Sequence, residues 1–180
     1  MASIITATTT GGLTQSADNS GVLQLASGAG NLVTVPSVTG TMITTASTFA
    51  GTGPAFSAYK STTQSLSSAT FTKLTFDTEE FDTNNNFASS RFTPTVAGYY
   101  QITGALNNST GTQTLTYIYK NGSQFKQGIN GNLFSSNQSS LIYLNGSTDY
   151  VELYGYFGTG TSTGSGAEQT YFQGVLVRAA

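Results

Sequence analysis

From residue 55 onward, apolar and polar positions alternate in short runs. In Thr70-Phe71-Thr72-Lys73-Leu74-Thr75-Phe76, Leu74 and Phe76 fall on one face and Lys73 and Thr75 on the other, the period of two that marks a strand. The same texture predicts strands over residues 55–59, 87–93, 98–106, 114–119, 141–144, 150–154 and 170–177. Turn formers separate them: 107–111, the Asn121-Gly122 pair and the Asn145-Gly146 pair, and Asn-Gly is a strong hairpin signal. Residues 77–86 read as a polar, acidic connection, and 155–166 as a flexible loop rich in Gly, Thr and Ser. No segment sustains a helical period. Repeated short strands with turns between them predict an all-β antiparallel sandwich or jelly roll.

Several strands carry large groups on both faces. Leu115, Tyr117 and Tyr119 oppose Ile118, and Tyr171 and Val175 oppose Phe172 and Leu176. A free sandwich needs only one apolar face per strand. The second face predicts burial between subunits.

The stretch Arg91-Phe92-Thr93-Pro94-Thr95-Val96-Ala97-Gly98-Tyr99-Tyr100-Gln101-Ile102 should hold a strand end, a corner and a strand start. Pro94 has a fixed φ and no donor. Gly98 is read as the residue that takes a backbone conformation a Cβ would resist.

Residues 1–50 have a different texture, with no Tyr, one Phe, one charged residue (Asp18) and many Thr, Ser, Gly and Ala. Short apolar pieces recur at Ile4-Ile5, Val22-Leu23-Gln24-Leu25, Leu32-Val33-Thr34-Val35 and Met42-Ile43, between turn formers. Each has strand character but is too short to make a core alone. The region is therefore expected to become ordered by pairing with other chains. The expected division is an N-terminal anchoring arm and linker over 1–53 and a sandwich domain over 54–180.

Composition sharpens this picture. Aromatics make up 12 % of the chain, enough for a core, while charged residues make up 8 %, far below the roughly 25 % of an ordinary soluble domain. Interface cores are likewise poor in charge and rich in Tyr and Phe. The net charge of -2, with six Lys and Arg, is not a nucleic-acid footprint. No run reaches the length of a membrane-spanning helix, and the N-terminus lacks a basic, then apolar, secretory signal. Asn-x-Ser/Thr triplets such as Asn121-Gly122-Ser123 matter only in a secretory pathway and are read as chance.

Candidate chemistry is sparse. The sequence has no His and no Cys, which removes Ser-His-Asp and Cys-His apparatus and His or Cys metal ligands. No P-loop or dinucleotide fingerprint is present. The one carboxylate cluster is Asp77, Glu79, Glu80 and Asp82. It reads first as a solvated acidic segment; the alternatives are a calcium site built from oxygen ligands and a glycosidase pair. Tyr143, Tyr150, Tyr154, Tyr156 and Phe157 could form a stacking surface for sugar or protein; core and interface packing is the plainer reading for most. Tyr156 and Phe157 remain the candidate ligand surface.

Residues 54–177 carry, in order, Pro54-Ala55-Phe56-Ser57-Ala58, Leu74-Thr75-Phe76-Asp77, Arg91-Phe92-Thr93-Pro94 with Ala97-Gly98-Tyr99-Tyr100, Tyr117-Ile118-Tyr119-Lys120-Asn121-Gly122, Ser139-Ser140-Leu141, Asp149-Tyr150-Val151-Glu152-Leu153 and Tyr171-Phe172-Gln173-Gly174-Val175-Leu176-Val177. This series resembles the C1q-like domain of the C1q and tumour-necrosis-factor superfamily. It departs from that pattern at Ser90, where the family prefers Gly, and at Gly146-Ser147-Thr148-Asp149, where a Gly-Asp pair is usual. The resemblance implies a ten-strand jelly roll that forms tight trimers, with both termini at the base and loops at the apex. Tyr99, Tyr117, Tyr119 and Tyr171 are the candidate trimer contacts, and calcium is a ligand that such trimers often take.

The arm has no Gly-X-Y period, unlike a collagen stalk. Its run from Gly12 to Leu25 is similar to N-terminal regions of tailed-bacteriophage fibre and virion surface proteins. That resemblance implies a non-enzymatic structural protein on the virion surface, made in the host cytoplasm. The arm would attach it to other virion proteins, capsid shell or collar and tail, through Val22, Leu23, Leu25, Leu32, Val33 and Val35. Fully extended, fifty residues span at most about 170 Å, too short for a long fibre shaft. A head decoration (cement) or head-fibre knob therefore leads, and a tail-fibre tip binding host surface glycans or protein is the alternative. Neither nucleic acid nor membrane insertion is expected.

Overall fold

The computed structural model describes residues 53–180 apart from Leu133 and, by backbone alone, Asn132 and four strands of the arm. The chain divides into two units, residues 1–47 and 48–180. The arm strands are β1 (Ser3–Thr8), β2 (Gly12–Ser16), β3 (Leu23–Ser27) and β4 (Asn31–Val35). They form one sheet of order β2-β1-β3-β4, built from two antiparallel hairpins joined by the parallel β1–β3 pair. The arm thus pairs its strands with one another, where pairing with other chains was expected; the β1–β2 and β3–β4 connections are short enough for local antiparallel return. Its backbone register pairs Leu23 with Val35 and Leu25 with Val33. Leu32 pairs with Ala26, and Val22, Met42 and Ile43 lie outside the described residues.

The second unit is an all-β sandwich. Its strands are β5 (Ala55–Tyr59), β6 (Ser65–Leu66), β7 (Thr72–Lys73), β8 (Thr78–Asp82), β9 (Phe87–Ala88), β10 (Arg91–Phe92), β11 (Ala97–Asn107), β12 (Gln113–Lys120), β13 (Ser123–Gln127), β14 (Gly131–Asn132), β15 (Ser135–Asn145), β16 (Val151–Phe157), β17 (Thr161–Ser162) and β18 (Tyr171–Ala179). One layer is a five-stranded sheet of order β15-β11-β18-β5-β8. The other follows β13-β12-β16-β10-β9, with β14 beside β12 and β7 beside β16. Between them lies an aromatic core. Phe56 stacks on Phe87 and Phe92 at 4.8 and 4.4 Å and meets Phe172 edge-on at 5.1 Å. Ile102, Leu106, Ile118, Ile142, Leu144 and Leu153 fill the rest. Each fully buried side chain of this size contributes about 1.5–3 kcal/mol.

The predicted corner is present with one change of reason. β10 ends at Phe92 and β11 starts at Ala97, and the buried Tyr100 hydroxyl donates to the Val96 carbonyl at 2.7 Å, tying strand to corner. Gly98 has no left-handed φ. It is needed because β18 passes too close: a Cβ there would stand 2.5 Å from the Arg178 carbonyl oxygen. The Asn121-Gly122 turn, by contrast, has both residues at positive φ, as a two-residue hairpin requires.

Several segments differ from the sequence reading; the expected strand 87–93 is split into β9 and β10 around Ser89-Ser90, and β15 begins at Ser135, ahead of the expected 141–144. Residues 78–82, expected as a connection, form β8 on the edge of the five-stranded sheet. Its charged side chains hid it, but an edge strand needs few apolar residues. The Gly/Thr/Ser-rich segment is held by the β17–β6 ladder, with Thr163 N–H donating to the Gln64 carbonyl at 2.9 Å. Residues 70–76 are a strand only over Thr72–Lys73; Leu74 is nonetheless buried and Phe76 packs against the core.

Candidate functional site

The two outer faces of the sandwich carry the functional interest. On the five-stranded sheet, the residues between core-facing positions are Tyr99 and Gln101 on β11, Leu141 and Tyr143 on β15, Val175 on β18 and Phe81 on β8. Register sets Tyr99 beside Tyr143, with ring centroids 5.5 Å apart, and Gln101 between Leu141 and Val175. Val177 is the extra residue of a β18 bulge opposite Tyr99–Tyr100. The apolar members are 43–55 % exposed, a contiguous apolar surface of the kind that marks an interaction site. A depression of about 260 Å³ opens on it, with Ala55, Phe81, Gln101, Thr103 and Val175 in its walls.

The seven-stranded sheet covers its outer face with its own side chains. Tyr119 stacks on Tyr154 at 3.7 Å, and Phe71 lies over Tyr117 and Tyr156 at 5.1 and 5.0 Å. Leu115, on the same face, is buried. Burial between subunits was expected for Leu115, Tyr117 and Tyr119; within the chain Leu115 is already buried, Phe71 packs on Tyr117 and Tyr154 on Tyr119, and both tyrosines stay half-buried. The four candidate trimer tyrosines therefore stand on different surfaces. Tyr99 and Tyr171 belong to the five-stranded sheet, Tyr117 and Tyr119 to the covered one. Phe157 is wholly buried and cannot meet a ligand, because it points into the core between the sheets; Tyr156 is half-buried against Phe71.

An ion cluster lies on the covered face where Glu152 pairs with Tyr119. Glu152 is 2 % exposed, and its Oε1 accepts from Lys73 Nζ at 2.7 Å and Arg91 Nε at 2.8 Å. Burial raises the Glu152 carboxyl's pKa, but the hydrogen bonds and charges of Lys73 and Arg91 outweigh it and hold the group below the ordinary glutamate range. The Arg91 guanidinium lies 3.9 Å above the Tyr150 ring. Sequence reading missed this cluster, since its members are far apart in the chain and only the strand register joins them.

The acidic residues do not converge. Asp77 accepts the Ser61 N–H and the Thr62 hydroxyl, both at 2.6 Å; burial works against its ionised form, yet these bonds hold its pKa well below the usual range. Glu80 accepts the Ser57 hydroxyl at 2.6 Å, Asp82 accepts the Phe87 N–H at 2.7 Å, and Glu79 is exposed. Asp77, Glu80 and Asp82 each fasten their own turn or strand. Among the described residues no group of three or more His, Cys, Asp or Glu is placed to hold a metal ion. No helix among them is long and apolar enough to cross a membrane.

No protein-family model and no curated protein matches the sequence. Solved structures do match the fold. The globular domain of zebrafish complement 1qA is 18 % identical, with a TM-score of 0.55, covering 71 % of this chain and 99 % of that one. Murine APRIL is 10 % identical at a TM-score of 0.56, covering 68 % and 98 %. Eiger, a TNF from S. frugiperda, is 8 % identical at 0.54, covering 71 % and 95 %. At these identities the likeness establishes a C1q/TNF-like jelly roll and nothing finer.

Proposed function

We propose that this chain is a non-enzymatic structural protein that works as a homotrimer, its sandwich forming a knob and its arm an anchor. The observation that carries this reading is the open apolar face of the five-stranded sheet. Phe81, Tyr99, Leu141, Tyr143, Val175 and Val177 have no cover within the sandwich. A second and third copy related by a closed rotation would cover the same patch on each subunit without leaving an open end. The C1q/TNF-like fold and the absence of His and Cys support the same reading.

The particle is a tailed-bacteriophage virion, and the role is a head decoration or head-fibre knob. Support comes from the Gly12 to Leu25 run and from an arm too short for a long shaft. The anchor set is Val22, Leu23, Leu25, Leu32, Val33 and Val35, and strand addition at the edges β2 and β4 would supply main-chain hydrogen bonds to a virion partner. Mass measurement in solution tests the trimer, and a stable monomer overturns it. A chain starting at Gly53 tests the anchor: it should still trimerise but no longer bind bare particles that the full chain decorates. If the shortened trimer is absent from virions yet still binds host cells, the second reading, a tail-fibre tip that adheres to host glycans, takes its place.

A further inference from the structure

One groove on the sandwich belongs to neither the open apolar face nor the aromatic cover. It lies at the short β9 edge of the seven-stranded sheet, encloses about 490 Å³, and has Lys73, Asn85, Ser89, Arg91, Thr93 and Thr95 in its walls. Besides Ala88 the lining side chains are amide, hydroxyl and cation, with no carboxylate. The chain has only six Lys and Arg, so two cations on one groove of this size are a concentration of positive charge.

Glu152 lies behind that wall and accounts for part of the charge, not all of it. Lys73 and Arg91 carry +2 and Glu152 carries -1, leaving +1. Arg91 gives Glu152 only its Nε, and its terminal nitrogens make no hydrogen bond among the described residues. Lys73 gives one proton to Glu152 and one to the Ser89 carbonyl at 2.9 Å, which leaves a third donor free. The Asn85 amide and the Ser89 and Thr93 hydroxyls likewise make no side-chain hydrogen bond among the described residues. Asp82, the nearest carboxylate in sequence, is taken up by the Asn84 and Phe87 N–H groups. Burial of Glu152 fixes both cations in position, and the Tyr150 ring beneath Arg91 fixes the plane of its guanidinium.

The groove therefore offers two anchored cations with spare donors beside a ring of unengaged amide and hydroxyl groups. We propose that it binds a carboxylate-bearing sugar residue: the carboxylate on Arg91 and Lys73, the ring hydroxyls on Asn85, Ser89 and Thr93. A charged fork and neutral polar groups at one place suit a ligand with one anionic group and several hydroxyls. A bare anion would use only the cations. The sandwich of one chain supplies every wall, and β16 runs from Val151 beside Phe92 to Phe157 beside Thr114, so the turns after β11 and β16 lie at its other end.

Calorimetric or NMR titration of the full chain with methyl β-D-glucuronide is the test, with methyl β-D-glucoside and inorganic phosphate as the parallel probes. Saturable binding of the glucuronide is expected, weakened by salt, with no saturation by the glucoside and at least about tenfold weaker binding of phosphate. R91Q should lower glucuronide affinity about tenfold or more, as loss of a charged hydrogen-bond pair does. Because R91Q also touches Glu152, N85G and T93V provide variants away from the ion cluster; glycine keeps the left-handed φ of 53° at position 85. Each should weaken glucuronide binding severalfold while leaving the melting temperature and the solution mass unchanged. Failure of the glucuronide to bind overturns the site. Equal binding of the glucoside overturns the role of the cations, and equal binding of phosphate overturns sugar recognition. A monomeric mass with intact glucuronide binding would defeat the trimer and leave the groove standing.

Discussion

The two outer faces of this sandwich solve the same problem in opposite ways. Both carry large side chains on strands that already bury an inward face. On β12 and β16 the outward rings pack on one another, and the segment ahead of β8 lays Phe71 across them. On β11, β15 and β18 nothing within the sandwich covers Tyr99, Leu141, Tyr143 and Val175. An apolar strand face is therefore not by itself a sign of a partner. What sets the open face apart is the absence of a covering segment, and that is a property of topology.

The largest expected effect comes from charging the open face. Leu141→Glu and Val175→Glu should each convert the proposed trimer to monomers in light scattering, with little change in far-ultraviolet circular dichroism. The matching change on the covered face, Tyr119→Ala, should leave the mass unchanged. If Tyr119→Ala breaks the assembly and Leu141→Glu does not, the two faces have been assigned the wrong way round.

Next in size is the ion cluster on the covered face. Glu152→Gln leaves Lys73 and Arg91 without their counter-charge and should cost about 3 kcal/mol near neutral pH. The pH dependence has a definite sign. The folded carboxyl titrates below its ordinary value of 4.5, so its stabilisation is present above that value and is lost as pH falls through the folded pKa. Acid denaturation curves of Glu152→Gln should accordingly be flatter below about pH 5 than those of the unaltered chain. Parallel curves would show that the cluster does not govern acid stability.

The aromatic cover comes third. Tyr154→Ala removes a half-buried ring stacked on Tyr119, and should cost about 2 kcal/mol, less than the 3–5 of a fully buried aromatic. Denaturant midpoints measure it. A loss under about 0.5 kcal/mol would mean that the cover is surface decoration.

The alternation of Phe, Tyr, Leu and Ile made the long central strands β11, β12, β16 and β18 legible, and the Asn121-Gly122 turn with them. β8 and the first half of β15 were not, because Thr78-Glu79-Glu80 and Ser135-Ser136-Asn137-Gln138 carry no apolar period; they are edge strands held by main-chain pairing to β5 and β11. Site chemistry was less legible still. Lys73, Arg91 and Glu152 are separated by up to 79 residues and meet only through register. The carboxylates of 77–82 looked like a cluster because they are adjacent in sequence, yet in a strand neighbouring side chains diverge to opposite faces.

The smallest effect concerns how the covering segment is pinned. Ser90 is buried and sits at a φ of 58° next to Ser89 at 51°, both in the two-residue turn between β9 and β10. A side chain in that region costs about 1 kcal/mol, which glycine would avoid. The serine hydroxyl, however, accepts the Phe76 N–H at 2.8 Å, and Phe76 follows directly on the segment that carries Phe71 over the tyrosines. Leaving that N–H unsatisfied costs about 1–3 kcal/mol. Ser90→Gly gains the first term and loses the second, so its net change should be a destabilisation of no more than about 1–2 kcal/mol. Ser90→Ala keeps the strain and still loses the acceptor, so it should be worse than Ser90→Gly by about 1 kcal/mol. Urea midpoints of the two variants separate the terms: the alanine–glycine difference reads the backbone strain, and the glycine change corrected for it reads the hydrogen bond. If Ser90→Gly is more stable than the unaltered chain, the hydroxyl is not holding the Phe71 segment, and the covered face stays closed by ring stacking alone.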